Sequence, residues 1–279
     1  MTVRSRGNTV MGIFGRGFDK PGPGVSKDEP RKKGAARFFE LLMRDFWDLT
    51  KINLLFCLCI LPSVFVFLLG LSGLIDGLSG VLFVLSLMLA FPVGGALVAY
   101  VYYITKMMRD DPSYVWYEFK RKFVENYRQA ALMGVLCTAF VYAQILLWGA
   151  LLFGEQGADF FIFIIALISL LLFGMITPYI FLHFAYIDLR TSGIIKNSVL
   201  MSFGFMPRSV MGAVSGGMIW VISVLFFPAS LLLVPIIVLI GISISIMLTM
   251  MWIWKPFDEH FKIEEKLNAR LEENSEHPT

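Results

Sequence analysis

The chain is 279 residues long, and 57% of its residues are hydrophobic whereas only 16% are charged. Its mean hydropathy is +0.72. A soluble domain carries about 25% charged residues, so this composition excludes a soluble globular protein. The net charge of +3 gives no reason to expect a nucleic-acid-binding protein either, because such proteins present a strongly basic surface.

Long stretches of the chain contain no Asp, Glu, Lys or Arg, and about 20 apolar residues suffice for a helix to cross a bilayer. These stretches are residues 52–75, 77–105, 129–154, 160–187 and 209–254. The last is too long for one crossing, and we expect it to fold back near Pro228, which removes a backbone donor. The sequence therefore predicts an all-α, polytopic membrane bundle of six transmembrane helices, arranged as three hairpins.

The basic residues predict the orientation of this bundle. With six spans, all 24 Lys and Arg residues fall in segments 1–51, 106–128, 188–208 and 255–279, which share one side of the membrane. Because positive residues concentrate on the cytoplasmic side, we expect a multi-pass membrane protein with both termini in the cytoplasm. The sequence leaves open whether residues 209–254 form two full spans or a re-entrant pair, and a single broken span would place the C-terminal tail outside.

The chain divides into three regions. Residues 1–34 are basic and rich in Gly and Pro, so we expect a disordered tail, and they lack the apolar core of a cleavable signal peptide. Residues 35–257 form the six-span bundle, and residues 258–279 form a charged cytoplasmic tail that is partly helical. The true start at Met1 or at Met11 is left open.

The connecting segments are amphipathic rather than merely polar. In residues 37–51, apolar side chains recur at the spacing of one helix face. They are Phe39, Leu42, Phe46 and Leu49. A second amphipathic helix is expected to begin at Asp111 and Pro112, an acidic cap followed by proline at the first position. Similar helices are expected in residues 191–200 and 257–271, lying at the membrane interface.

The second of these segments is a candidate docking surface, because aromatic and basic side chains alternate along it. Its residues are Trp116, Phe119, Lys120, Arg121 and Lys122. One interpretation is that these side chains only seat the bundle on the inner leaflet, where aromatic and basic residues act as anchors. The other is that they bind a partner protein.

Few polar side chains interrupt the predicted spans. The candidates for intramembrane polar contacts are Asn53, Gln144, Thr177 and His183. We expect them to form hydrogen bonds between helices, the alternative being contact with a substrate. His183 lies close to Asp188, so we expect it to reach the cytoplasmic interface.

Small residues and prolines predict further features of the bundle. Close helix packing is expected at Gly73-x-x-x-Gly77, Gly95-x-x-x-Ala99 and Gly212-x-x-x-Gly216. Prolines at 62, 92, 178, 228 and 235 either kink their helices or break them and expose backbone carbonyls.

No motif of enzyme chemistry is found in the sequence. It contains three histidines, none near another metal ligand, and neither a phosphate-binding glycine loop nor a nucleophile elbow. The sequence therefore predicts no catalytic residue, no metal site and no cofactor, and the protein is not expected to be an enzyme.

Several short motifs, spread over roughly residues 11–257, resemble the YesL-like family of bacterial integral membrane proteins. They are Phe46-Trp47-x-Leu49, Phe91-Pro92-Val93-Gly94-Gly95-Ala96, Trp116-x-x-Phe119-Lys120 and Lys196-Asn197-Ser198. The family is uncharacterised, and its members often stand beside carbohydrate ABC-transport components. The resemblance implies an accessory role in sugar uptake.

Two functions follow from these observations. The first is a non-enzymatic accessory or scaffold protein that binds another membrane protein, such as an ABC permease, through its cytoplasmic helices. The alternative is a transporter or permease-like subunit for an uncharged solute such as a sugar, because aromatic side chains can stack on sugars. Neither the partner, the solute nor the oligomeric state can be read from the sequence.

Overall fold

The computed structural model describes residues 34–73, 77–111, 113–153, 160–225 and 234–276, and every regular element within these ranges is helical. The helices are α1 (Ala35–Arg44), α2 (Phe46–Ser72), α3 (Ser79–Leu89), α4 (Val93–Met108), α5 (Val115–Phe153), α6 (Phe160–Tyr186), α7 (Thr191–Gly204), α8 (Met206–Leu225), α9 (Val234–Ile236), α10 (Ile242–Phe261) and α11 (Ile263–Glu276). A π-helical turn, Ile237–Gly241, joins α9 to α10. The predicted N-terminal tail and the predicted fold-back at Pro228 lie outside the described residues.

Among the described helices, four are long and apolar enough to cross a membrane, and up to six if each of two bent pairs is counted as one span. The four are Phe46–Ser72, Val115–Leu152, Phe160–Tyr186 and Val238–Phe261. The bent pairs are α3 with α4, at 45°, and α7 with α8, at 97°. The chain is therefore an all-α, multi-pass membrane protein.

Helix α4 forms the centre of the bundle. Thirteen of its 16 residues are buried, and it packs against α2, α5, α6 and α10. Its residues Tyr100, Tyr103 and Ile104 are at most 1% exposed. The predicted span over residues 77–105 corresponds to the bent pair of α3 and α4, which counts as one crossing only if both helices are taken together. The position of α4 among the other helices explains why small residues alternate with tyrosines along it.

The outer helices present apolar faces to the surroundings. On α2 the exposed residues Leu58, Leu61, Phe65 and Leu68 are spaced by three or four positions, and each is more than half exposed. A continuous apolar stripe of this kind is rare on soluble proteins. On a transmembrane helix it is the side that contacts lipid.

Two of the predicted interfacial helices are wrong in their boundaries. Residues 37–51 do not form one helix, because the chain breaks at Asp45 and residues 46–51 already belong to α2. Phe39 and Phe46 are exposed, whereas Leu41 and Leu49 are buried. The second predicted helix begins at Val115 rather than at Asp111, and it continues into the third span as one 39-residue helix, α5.

The prolines bend the bundle at some positions and are tolerated at others. Pro62 and Pro178 lie inside continuous helices. Pro92 lies in the break between α3 and α4, so the second predicted span is not a single straight helix. Pro235 immediately precedes the π-helical turn.

Close helix contacts occur at two of the three predicted small-residue motifs. A Cβ atom on Gly216 would collide with Thr249 of α10, and one on Gly95 would lie 3.2 Å from the backbone of Tyr127 in α5. The third motif is wrong as a packing site, since Gly73 ends α2 and Gly77 lies in the following turn, both with positive φ. Glycine suits such left-handed backbone positions.

Candidate functional site

Asn53 is the point where three parts of the bundle are joined by hydrogen bonds. Its side-chain amide donates to the carbonyl of Val238 in the π-helical turn, at 2.5 Å, and its oxygen accepts from the Tyr100 hydroxyl at 2.6 Å. The same oxygen accepts from the backbone N–H of Ser243 at 3.2 Å. Asn53 is fully buried, so it links α2, α4 and the α10 region in the interior of the bundle.

Gln144 joins α5 to α6. Its amide donates to the Ser169 hydroxyl at 2.8 Å, and its oxygen accepts from the Trp148 indole at 3.0 Å. Thr177 lies on α6 and is partly buried. The Gln144 side chain thus faces neighbouring protein atoms.

His183 is completely buried by neighbouring helices, and the expectation that it lies at the cytoplasmic interface stays a prediction. Its Nδ1 lies 2.7 Å from the Tyr179 carbonyl and 3.0 Å from the Ser198 hydroxyl of α7. The rings of Phe257 and Phe261 pack edge-on against the imidazole. His183 therefore fixes α7 and the end of α10 against α6.

The five residues of the candidate docking surface do not share one exposed face. Trp116 is 65% exposed and Lys120 also points outward, whereas Phe119 is only 6% exposed and belongs to the core. Arg121 and Lys122 are partly buried and form ion pairs with Glu118 and Glu125. Phe119 therefore does not belong to the candidate docking surface, whereas Trp116 and Lys120 do.

Glu118 is the centre of a charge cluster that the sequence did not single out. Its carboxylate is 2.5 Å from the Lys106 ammonium and 2.5 Å from the Arg121 guanidinium. Glu118 is 5% exposed, and a buried carboxylate is stable only when it is paired. The signal in the sequence is weak, since Glu118 is merely one acidic residue beside a basic run.

Arg109 ties the end of α4 to the ends of α6 and α10. It donates to the Tyr186 hydroxyl at 3.0 Å, pairs with Asp111 at 2.8 Å, and lies 5.4 Å from the centre of the Trp254 ring. Asp111 thus binds a side chain instead of capping α5.

Asp110 holds α1 against the turn between α4 and α5. Its carboxylate pairs with Arg37 at 2.6 Å and with Arg44 at 2.5 Å. Partial burial acts to raise the pKa of Asp110, but the hydrogen bonds from Arg44 and Arg37 outweigh it and lower the pKa below the ordinary value of 3.8. The backbone of Asp110 is left-handed, at φ 64°, a conformation that Asp and Asn tolerate better than most residues.

Two cavities open at this charged end of the bundle. One, of about 230 Å³, is lined mainly by acidic residues, Asp45, Asp48, Asp110 and Asp111, with Arg44. The other, of about 250 Å³, is lined by Tyr102, Arg121, Lys122 and Lys266 among others. Within the ranges that the structure describes, no group of three or more potential metal ligands is arranged to hold an ion.

No family model, no curated protein and no solved structure matches the chain. The resemblance to the YesL-like family remains a prediction from the sequence motifs. The candidate site is therefore defined by its geometry alone.

Proposed function

We propose that the protein is a non-enzymatic accessory or scaffold protein of the bacterial cell membrane, which binds another membrane protein at its charged, cytoplasmic end. In this proposal six spans cross the membrane, α7 lies along the inner leaflet, and both termini are cytoplasmic. The partner implied by the YesL-like resemblance is the permease of a carbohydrate ABC uptake system.

The observation that supports docking is the exposed side of the first turns of α5. Trp116, Tyr117, Lys120 and Val124 all point outward, and the two aromatic residues are 65% and 60% exposed. Tryptophan and tyrosine contribute most of the binding energy at many protein interfaces. The other side of the same turns is held rigidly, because Glu118 binds both Lys106 and Arg121.

The structure supports the scaffold more than the alternative, a transporter subunit for an uncharged solute. A transporter could use proline-broken helices to expose backbone carbonyls to a cavity. At the break after Pro235, the Val238 carbonyl accepts a hydrogen bond from Asn53 instead. The amide groups of Asn53 and Gln144 are thus used to join helices.

The test is affinity purification from native membranes in mild detergent, followed by quantitative mass spectrometry. The double variant Trp116→Ala, Lys120→Glu removes the exposed aromatic residue and reverses the exposed charge. Arg121 and Lys122 are left unchanged, because altering them would break ion pairs within the bundle. Losing a central aromatic contact costs about 2 kcal/mol or more, so partner recovery is expected to fall by roughly tenfold or more.

The chain offers a control in Trp47→Ala, Lys196→Glu. Trp47 is 73% exposed, Lys196 is exposed on α7, and no ion pair of Lys196 is found in the described part of the chain. This control is expected to recover the partner normally. Equal recovery of the partner by the two variants, or unchanged recovery by the α5 variant, would contradict docking on α5.

A further inference from the structure

The second cavity at the charged end lies where α4, α5, α6 and α11 meet, and its walls are cationic. It is lined by Arg121, Lys122 and Lys266, against a single carboxylate, Glu125. Lys122 pairs with Glu125 at 2.8 Å. Lys266 is exposed, and no ion pair of its side chain is found in the described part of the chain. Arg121 is also paired with Glu118, which binds Lys106 as well. Four cations, Lys106, Arg121, Lys122 and Lys266, therefore meet two carboxylates around this cavity, and an excess of positive charge remains.

Tyr102 fixes two of these cations in place before any ligand binds. The Lys122 ammonium lies 4.8 Å and the Arg121 guanidinium 5.7 Å from the centre of the Tyr102 ring. Arg121 also donates to the Tyr102 hydroxyl at 3.0 Å. Tyr102 is only 8% exposed. Side chains that are held in position in this way lose little entropy when they bind a ligand.

The remainder of the cavity is mainly apolar. Ala185 and Tyr186 of α6 and Ile263 and Leu267 of α11 complete its lining. A ligand that fits this combination carries a negative charge at one end and a neutral or apolar part at the other. Guanidinium and ammonium groups recognise phosphate oxygens through charge-assisted hydrogen bonds.

The neighbouring cavity at the same end provides a contrast within one molecule. It has nearly the same volume, about 230 Å³, but four aspartates line it. Three of these aspartates are paired with arginines, but the lining itself holds four carboxylates and one cation, Arg44. The two cavities therefore differ in charge and not in size.

We propose that the cavity between Tyr102, Arg121, Lys122 and Lys266 binds the phosphate group of an anionic phospholipid. Arg121 and Lys122 contact the phosphate oxygens, Lys266 closes the cavity from α11, and the apolar residues contact the glycerol and the first part of the acyl chains. Basic cavities between transmembrane helices on the cytoplasmic side suit lipid headgroups. Bound lipid would also hold α11 against the bundle.

The experiment uses the full chain in nanodiscs of mixed phosphatidylglycerol and phosphatidylcholine. Native mass spectrometry then counts the lipids that stay bound to the protein after it is released from the nanodisc. The variant is Lys122→Gln, Lys266→Gln. Each basic residue near an anionic lipid surface contributes about fivefold in affinity, so retention of phosphatidylglycerol is expected to fall roughly 25-fold. Lys120→Gln, Lys255→Gln removes the same charge from exposed positions outside the cavity and is expected to retain the lipid.

Other outcomes are decisive as well. Equal retention of the two lipids, or equal loss in variant and control, would overturn the proposal. In a further outcome, millimolar glycerol 3-phosphate displaces the lipid and also binds to the protein in detergent without lipid. This result would mean that the cavity recognises phosphate but that its ligand is a soluble ester and not a phospholipid. If the double variant does not fold, Lys266→Gln alone is measured, since Lys266 is an exposed residue whose loss does not disturb packing.

Discussion

Asn53 shows how one polar side chain organises the apolar interior. It hydrogen-bonds to Val238, Tyr100 and Ser243, which belong to different helices. Replacing it with alanine leaves the Val238 carbonyl and the Ser243 N–H without this partner in a medium that holds no water. Such groups are costly to bury unsatisfied.

We therefore predict that Asn53→Ala lowers the stability of the bundle. Hydrogen bonds between transmembrane helices contribute about 0.6 kcal/mol on average, so losing three of them is expected to cost about 2 kcal/mol. The measurement is the thermal midpoint of the detergent-solubilised protein. Leu54→Ala on the same helix is the control, because Leu54 is 44% exposed to lipid, and an equal effect of both substitutions would contradict the role of Asn53.

The polar residues of the spans were predictable, but their partners were not. Asn53, Gln144, Thr177 and His183 stand out because they interrupt charge-free stretches. Nothing in those stretches indicates which side of a helix faces which neighbour, since apolar residues cover the whole circumference. The pairing of Asn53 with a carbonyl in the π-helical turn depends on tertiary packing and leaves no signal in the sequence.

Asp110 makes part of the stability dependent on pH. Its pKa is lowered in the folded protein, so its ion pairs with Arg37 and Arg44 contribute stability above the ordinary carboxyl pKa of 3.8. That contribution is lost as the pH falls through the lower, folded value. We predict that Asp110→Asn, which keeps a residue tolerant of the left-handed backbone, lowers the thermal midpoint at neutral pH.

The difference between wild type and Asp110→Asn is expected to shrink as the pH is lowered to about 3, near the carboxyl pKa. Thermal midpoints measured over this range test the prediction. Glu259→Gln serves as the control, because the pair of Glu259 with Lys255 is exposed and 3.6 Å long. If the difference in thermal midpoint between wild type and Asp110→Asn stays constant with pH, the ionisation of Asp110 does not contribute to stability.

Helices α4 and α5 approach each other more closely than ordinary side chains allow. A Cβ atom on Gly94 would overlap the Ala130 backbone, and one on Gly134 would overlap the backbone of Gly94. Backbone atoms cannot move aside as flexible side chains do. The sequence predicted close packing at Gly95 and Ala99, so it placed the contact on the right helix but did not identify Gly134 as the opposing residue.

Gly134→Ala is therefore predicted to disturb the packing of α4 on α5. Overpacking a tightly packed interior costs about 1–3 kcal/mol, and the purified protein should show a lower thermal midpoint. Gly149→Ala is a matched control on the same helix, because a Cβ there meets nothing within 4 Å. It is expected to be neutral or to stabilise the helix by up to about 1 kcal/mol. Equal midpoints for both variants would contradict the close contact.

The boundaries of the helices were the least predictable feature. The charged residues between 106 and 128 indicated a separate interfacial helix, yet α5 runs without a break from Val115 to Phe153. Its buried charges are neutralised by one another, as in the pairs of Glu118, so the helix can continue past them. The bend between α3 and α4 lies at Pro92, whereas the break at Asp45 falls in a segment whose hydropathy pattern predicts a continuous helix.

The whole molecule is organised by the separation of its charges. Lys106, Arg109, Glu118 and Arg121 meet at one end of the bundle, where Lys262 and Glu264 of the last helices also lie. Both the docking surface on α5 and the phosphate cavity are found at this end. We propose that this end faces the cytoplasm and that six spans separate it from the other side.

Labelling of single cysteines tests this claim most directly. In a variant without Cys57, Cys59 and Cys137, one cysteine at a time replaces an exposed residue, and spheroplasts are treated with a membrane-impermeant maleimide before and after permeabilisation. The positions for the charged end are Lys120, Lys196 and Glu259, and those for the opposite end are Leu78 and Phe160.

We predict that Leu78→Cys and Phe160→Cys react in intact spheroplasts, whereas Lys120→Cys, Lys196→Cys and Glu259→Cys react only after permeabilisation. Reaction of Glu259→Cys from outside would show an odd number of spans and an external C-terminal tail. Reaction of Lys120→Cys from outside would place the proposed docking surface on the wrong side of the membrane and contradict the account as a whole.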